Sequence, residues 1–157
     1  MIVLAGRNLA KMEAAKAELD ELGVESHLCK TDIADRAQVQ ALAAFAASLG
    51  DVKQIIHTSG VSPSDTATEN IIKNNAAGTV NMVEAFYPVL AEGGVIINFS
   101  SVAAYTMPQT DEWTQAFEAW NEPDFYDRLL ALAGEAEDEE GEFFLSLIHI
   151  SEPTRRS

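Results

Sequence analysis

The residues best suited to chemistry in this sequence form four groups. Each group contains polar side chains and follows directly after a short apolar run. They are Gly6, Arg7 and Asn8, then Thr31, Asp32 and Ile33, then His57, Thr58, Ser59 and Gly60, and finally Ser100 and Ser101. A guanidinium binds phosphate or carboxylate groups, a carboxylate accepts hydrogen bonds, and a serine hydroxyl both donates and accepts them. If the apolar runs are parallel strands, ligands bind beyond their carboxyl ends. We therefore expect these residues to line one long cleft.

Apolar runs alternate with helical patterns along this part of the chain, and the alternation predicts the fold. Strands are predicted over residues 2–5, 25–30, 52–57 and 95–100, and helices over residues 9–22, 36–49 and 71–90. Asn8 and Asp35 are good N-cap residues, and Gly23 and Gly50 end the helices that follow them. Fully apolar strands alternating with helices favour an α/β protein with a doubly wound parallel sheet. We expect a partial Rossmann-like sheet of about four strands, followed by a helical C-terminal extension.

Charge and cysteine content restrict the partners. The chain has 10 Lys and Arg against 25 Asp and Glu, so its formal net charge is −15. Such a surface repels phosphate backbones and anionic lipid, which disfavours nucleic acid and membrane as partners. Cys29 is the only cysteine. It excludes an intrachain disulfide, offers no cysteine-rich metal site and fits a reducing, cytoplasmic setting.

Five segments, in a consistent order and at compatible spacings, resemble the short-chain dehydrogenase/reductase family. Residues 3–8 look like its second strand and the turn after it, and residues 32–33 look like the pair that flanks the adenine. Residues 57–60 resemble a variant of its Asn-Asn-Ala-Gly motif that keeps only the glycine. Residues 75–78 are similar to its helix motif, and residues 98–101 to the strand that ends in its catalytic serine. The resemblance covers roughly residues 1–105.

The resemblance implies an oxidoreductase that transfers a hydride between NADPH and an alcohol or ketone. Arg7 is a fixed cation that suits the 2′-phosphate of NADP, so NADP is expected rather than NAD. The other residues implied at the adenosine end of the cofactor site are Asn8, Asp32, Ile33, Thr58, Ser59 and Gly60. Ser101 would hydrogen-bond the substrate oxygen, and Asn75 would anchor a water in the proton relay. A homo-oligomer of the intact enzyme is compatible with the resemblance.

Two parts of the family pattern are absent from the sequence. No Gly-rich turn precedes a helix, so the backbone cradle for the pyrophosphate is missing. The family's proton donor is a tyrosine with a lysine four residues on, and no lysine follows Lys73. We therefore expect a fragment that begins at the family's second strand and is inactive as given. A non-catalytic binding or regulatory protein on a dinucleotide fold is the alternative, and an isomerase or epimerase of the extended branch is a weaker one.

The last third of the chain departs from the alternating pattern. Residues 106–144 resemble an acidic, tryptophan-containing helical insertion that some family members carry after the serine. Residues 145–155 resemble the translation of a transposase adapter used in DNA library preparation, so residues 145–157 are expected to be a non-native tail. The expected organisation is thus a partial dinucleotide-binding domain over residues 1–105, the insertion over 106–144 and the tail.

Overall fold

The computed structural model describes residues 1–62, 66–101, 110–140 and 154–155. The strands are Ile2–Gly6 (β1), Ser26–Lys30 (β2), Val52–His57 (β3), Leu90–Asn98 (β4) and Thr154–Arg155 (β5). The α-helices are Leu9–Glu21 (α1), Arg36–Leu49 (α2), Thr68–Ile71 (α3), Gly78–Phe86 (α4), Asp111–Glu118 (α5) and Phe125–Glu140 (α6). A π-helical segment, Ile72–Ala77, joins α3 to α4, and a short 3-10 turn, Tyr87–Val89, joins α4 to β4. The predicted α/β class with parallel strands is confirmed.

Local hydrogen bonds begin and end the first two helices as predicted. The Asn8 side chain accepts from the Lys11 backbone N–H at 3.1 Å, which caps α1. Asp35 caps α2 in the same way by accepting from the Gln38 N–H at 3.1 Å. This hydrogen bond and a second one from the Gln38 side chain lower the pKa of the Asp35 carboxyl. Gly23 follows α1 with a positive φ of 70°, a conformation that favours glycine.

The four main strands form two separate parallel pairs instead of one sheet. β1 pairs with β2, from Ile2 opposite Ser26 to Gly6 opposite Lys30. β3 pairs with β4, and β5 adds an antiparallel edge to β4 at Val95 and Ile96. No backbone ladder joins the two pairs within the described residues. The four strands of the partial sheet thus stand as two pairs, and one edge of β1 and one edge of β3 carry no strand partner among the described residues.

Helices cover the first strand pair on both faces and the second pair on one. On β2, Ser26 contacts Lys16 of α1, whereas its neighbour His27 packs edge-on against Phe45 of α2. Because neighbouring side chains on a strand point to opposite faces, α1 and α2 lie on opposite sides of this pair. On β3 and β4, Ile55 and Ile96 are buried in a core shared with α2 and α4. The described helices thus lie on both faces of β1 and β2 and on one face of β3 and β4.

The other face of β3 and β4 exposes an apolar surface. Ile56 is 61% exposed, Ile97 41% and Phe99 55%. Ile56 is paired with Ile97 across β3 and β4, and Phe99 follows Ile97 by two residues just beyond the end of β4. The three side chains therefore share one side of the sheet. A contiguous apolar face of this kind, beside an unpaired strand edge, promotes association between copies.

We expect the purified chain to self-associate through this face and the adjoining edge. The double variant Ile56→Thr/Ile97→Thr keeps β-branched side chains and should shift the onset of self-association to a several-fold higher concentration. Multi-angle light scattering over a concentration series measures the effect. Leu22→Thr is the matched control, because Leu22 is 76% exposed at the end of α1 and away from the sheet. Equal shifts in both variants would contradict the assignment.

Two boundaries differ from the sequence prediction. The predicted helix over residues 71–90 is divided into α, π, α and 3-10 segments and ends at Val89. The fourth strand begins at Leu90 and ends at Asn98, instead of running from Val95 to Ser100. Gly93, with a φ of 73°, lies at a register shift between the Val52–Leu90 and Gln54–Val95 pairs. This irregularity extends the strand upstream of its apolar run.

The C-terminal helices pack on the π-helical segment. Phe125, Leu129 and Ala133 of α6 form one buried cluster with Ile71 and Ile72. The predicted domain boundary at residues 105–106 and residues 145–153 of the predicted tail lie outside the described residues. No helix in the described ranges is long and apolar enough to cross a membrane.

Candidate functional site

A cleft of about 170 Å³ opens at the carboxyl ends of β1, β2 and β3. Its lining residues are Gly6, Arg7, Thr31, Ile33, Thr58, Ser59, Gly60 and Asn74. Five predicted site residues are therefore brought together by the structure, namely Arg7, Ile33, Thr58, Ser59 and Gly60. Gly6 and Thr31 belong to the strand-end groups that the sequence places at the cleft, and both line it. Asn74 was in none of these groups and reaches the cleft from the π-helical segment.

Thr31 holds the ends of the first two strands together. It is 2% exposed, and its N–H donates to the Gly6 carbonyl at 3.0 Å. Its hydroxyl donates to the Cys29 carbonyl at 3.2 Å. Both walls of the cleft at this end are thus fixed by backbone contacts.

Arg7 supplies a positive charge to the cleft. Arg7 is exposed, and it forms no ion pair with any residue in the part of the chain that the structure describes. In a chain with a net charge of −15, an arginine without a carboxylate partner is available to an anionic ligand. A phosphate is the group that its planar donor set fits best.

Helix α4 fixes the position of Ile33, the apolar wall of the cleft. Asn81 donates a hydrogen bond from Nδ2 to the Ile33 carbonyl at 2.9 Å. At Gly78, an added Cβ would lie 2.8 Å from Ile33 Cδ1 and 2.9 Å from its Cγ1. Only glycine allows α4 to approach Ile33 this closely, so the start of α4 determines where this wall stands.

We expect Gly78→Ala to displace the Ile33 side chain and to destabilise the chain by about 1 kcal/mol, since overpacking exceeds the gain in helix propensity. Urea unfolding followed by circular dichroism measures the change. Gly134→Ala in α6 is the matched control, because a Cβ there meets no atom within 4 Å. That variant should instead gain about 0.5–1 kcal/mol. Equal gains in both would contradict the close approach.

Two predicted residues support the cleft without lining it. Asn8 uses its side-chain oxygen as the cap of α1. Asp32 Oδ1 accepts from the Ala34 N–H at 3.0 Å, and the Asp32 N–H donates to Gln38 Oε1 at 3.0 Å. Its second carboxylate oxygen makes no hydrogen bond to the described residues and can accept one from a ligand at the edge of the cleft.

Asn75 is fully buried and holds the loop after β3. Its Oδ1 accepts from the Val61 N–H and its Nδ2 donates to the Val61 carbonyl, both at 2.9 Å. Its own carbonyl accepts from Thr79 Oγ1 at 2.7 Å. The Asn75 side chain thus clamps this loop, and its role in anchoring a water stays a prediction.

Ser101 lies beyond the end of β4, outside the set of cleft-lining residues. It is half-buried, and the strand ends at Asn98, with the Phe99 N–H donating to the His57 carbonyl at 3.0 Å. The serine thus follows the strand by a short loop segment instead of ending it. Residues 102–109, which come next, are not described, and Tyr105 is among them.

The environment of Tyr126 does not suit a proton donor. Burial and then the nearby Glu69 carboxylate raise the pKa of Tyr126, whose hydroxyl lies 3.3 Å from Glu69 Oε1. A tyrosine that donates a proton at neutral pH needs a lowered pKa, which a neighbouring cation supplies. Tyr126 has the opposite environment.

Parallel strands joined by helices, with a cleft beyond their carboxyl ends, define a Rossmann-type α/β protein. The profile of the family described as short chain dehydrogenase matches residues 1–113. The chain belongs to this family. Solved structures share the fold: a short-chain dehydrogenase/reductase from Burkholderia phymatum in complex with NAD has a TM-score of 0.60 at 23% identity, covering 87% of this chain and 48% of that one. One from Burkholderia cenocepacia in complex with NADP has a TM-score of 0.59 at 20% identity, covering 87% and 57%.

Curated relatives match the same region. A sulfoacetaldehyde reductase from Chromohalobacter salexigens is 30% identical over 114 residues, or 65% of this chain and 45% of that protein. The short-chain dehydrogenase/reductase bsc3 from Alternaria brassicicola is 28% identical over 99 residues, or 63% and 33%. The human carbonyl reductase [NADPH] 3 is 27% identical over 109 residues, or 64% and 39%. The chain thus spans less than half the length of these relatives.

Proposed function

We propose that this chain carries the adenosine-binding part of an NADPH-dependent oxidoreductase that acts on an alcohol or ketone. The observation that carries the proposal is the cleft at the strand ends, with Arg7 on its wall and no carboxylate paired to it among the described residues. Two relatives are named as a sulfoacetaldehyde reductase and a carbonyl reductase [NADPH], and these names support the reduction of a carbonyl group as the reaction class.

The residues present fit the adenosine end of NADP. Ile33 offers an apolar surface to a purine, Asp32 a carboxylate oxygen, and Arg7 a cation for the 2′-phosphate. The cleft of about 170 Å³ is smaller than the roughly 300 Å³ at which sites for drug-sized ligands begin, so it holds only part of a dinucleotide. Bound NADPH supplies the hydride, and this chain's residues orient its adenosine end.

The test is a titration of the purified chain, below its self-association concentration, with adenosine 2′,5′-bisphosphate and with adenosine 5′-monophosphate. The proposal predicts saturable binding of the first and clearly weaker binding of the second, measured by calorimetry. Equal affinities would remove the NADP preference, and no binding of either ligand would remove the proposed function. In the intact enzyme, Ser101 is proposed to hydrogen-bond the substrate oxygen and Asn75 to anchor a water in the proton relay. The chain as given is proposed to be inactive.

A second candidate function is non-catalytic dinucleotide binding. The observation that favours it is the departure of residues 57–60 from the family's Asn-Asn-Ala-Gly motif, of which only the glycine is kept. It shares the predicted ligand binding and differs in the intact protein, where no hydride transfer would occur. We further propose a cytoplasmic location, a small-molecule alcohol or ketone as substrate, and no nucleic-acid or membrane partner. A homo-oligomer of the intact enzyme is compatible with this function.

A further inference from the structure

A buried histidine ends the strand that leads into the cleft loop. His57 is 3% exposed, and its Nε2 lies 3.2 Å from the Thr79 hydroxyl of α4, which is 1% exposed. The same hydroxyl lies 2.7 Å from the Asn75 carbonyl oxygen. The three residues form a continuous polar chain between β3 and the helical segment behind it.

The direction of these hydrogen bonds follows from the donor inventory. A carbonyl oxygen carries no proton, so the Thr79 hydroxyl must donate its single proton to Asn75. Towards His57 the hydroxyl can then only accept, and His57 must donate from Nε2. This assignment places a proton on Nε2 of His57.

This chain of hydrogen bonds ties both ends of the cleft loop to one helical segment. The loop residues that line the cleft are Thr58, Ser59 and Gly60. They are preceded by His57, held through Thr79, and followed by Val61, held by the Asn75 side chain on both its N–H and its carbonyl. Both sets of hydrogen bonds, from His57 through Thr79 and from Val61, meet at Asn75. Asn75 lies in the π-helical segment, and π-helical turns are frequent at functional sites.

We propose that His57 is a positioning residue that, through Thr79 and Asn75, fixes the loop of residues 58–60 and thereby the affinity of the cleft for its ligand. His57 touches no ligand in this proposal and acts as a hydrogen-bond donor. The inference rests on the proposed function for the identity of the ligand, but the contacts that carry it are independent of that identity.

The test compares Thr79→Val, which removes the hydroxyl at similar size, with Thr79→Ser, which keeps it. The readouts on the full chain are the ¹⁵N shifts of the His57 ring, hydrogen exchange of the Val61 amide, and the affinity for adenosine 2′,5′-bisphosphate. We expect an Nε2-protonated ring in the wild type and in Thr79→Ser. In Thr79→Val the ring should lose its preference for the Nε2-protonated form. Val61 exchange should become about three- to tenfold faster and ligand binding about three- to tenfold weaker, which is the usual effect of one neutral hydrogen bond.

A second pair of variants keeps the test decisive if Thr79→Val unfolds. His57→Gln retains an N–H donor and should keep the exchange rate of Val61 near that of the wild type, whereas His57→Leu should raise it. An Nδ1-protonated ring in the wild type, or unchanged Val61 exchange in both Thr79→Val and His57→Leu, would overturn the proposal. Faster exchange with unchanged ligand affinity would also overturn it. Faster exchange in a chain whose wild type binds no ligand would refute the proposed function and leave the tie between His57 and the loop intact.

Discussion

We expect the Arg7→Ala variant to bind adenosine 2′,5′-bisphosphate about 10- to 100-fold more weakly than the wild-type chain, and adenosine 5′-monophosphate almost equally well. The reason is the loss of a charge-assisted contact to phosphate, which contributes about 1.5–3 kcal/mol. Because Arg7 has no carboxylate partner among the described residues, its removal leaves no buried charge behind. Calorimetric titration with both ligands at low salt measures the difference.

Two variants separate the contact itself from general charge. Arg128→Ala removes an arginine that pairs with Asp124 in another part of the chain, and it should leave both affinities unchanged. Arg7→Lys keeps the charge but lacks the planar fork of donors, so its loss should be intermediate. Equal weakening of both ligands by Arg7→Ala would assign Arg7 to a phosphate other than the 2′-phosphate, and no weakening would remove it from the site.

The second large effect is an absence of turnover. We expect the purified chain to oxidise no NADPH above background with ketone or aldehyde substrates at any pH from 5 to 9. The positions four residues after Tyr87, Tyr105 and Tyr126 are Ala91, Gln109 and Leu130, so none of the three tyrosines forms the Tyr-x-x-x-Lys pair. General acid catalysis alone contributes about 10²- to 10⁴-fold, and the missing phosphate cradle reduces the rate further.

The assay is the absorbance of NADPH over several hours, with a known carbonyl reductase added afterwards to show that the mixture supports turnover. A rate that depends on the chain and disappears in Ser101→Ala would contradict the prediction. It would show that a proton donor other than the three tyrosines works together with Ser101.

Features set by contacts within a few residues could be predicted from the sequence. Asn8 and Asp35 each accept from a backbone N–H three residues ahead, so their cap role requires no tertiary information. The convergence of Arg7, Ile33 and Gly60 on one cleft followed from a single topological rule about the carboxyl ends of parallel strands. These predictions depend on the order of elements and not on their exact packing.

Features set by contacts between distant segments could not be predicted in this way. The resemblance implies a strand between β1 and β3 that this sequence lacks, so unpaired facing edges were one of two expected outcomes. Whether these edges close up or stay open depends on contacts between distant segments. An asparagine within a helix is usually exposed, but Asn75 is buried. Its side chain bonds the N–H and the carbonyl of Val61, which is fourteen residues away in the sequence. Asn74 lines the cleft from the π-helical segment Ile72–Ala77, and the sequence pattern predicted an uninterrupted helix there.

The most direct test of the adenosine site is the map of backbone amide shifts as adenosine 2′,5′-bisphosphate is added to the ¹⁵N-labelled chain. The proposed function predicts saturable shifts at Gly6, Arg7, Ile33 and Gly60, which line the cleft. It predicts no shifts in α5 or α6, apart from residues that contact the cleft loop of residues 58–60. Shifts confined to α5 and α6, or no saturable shift at the four cleft residues, would contradict it.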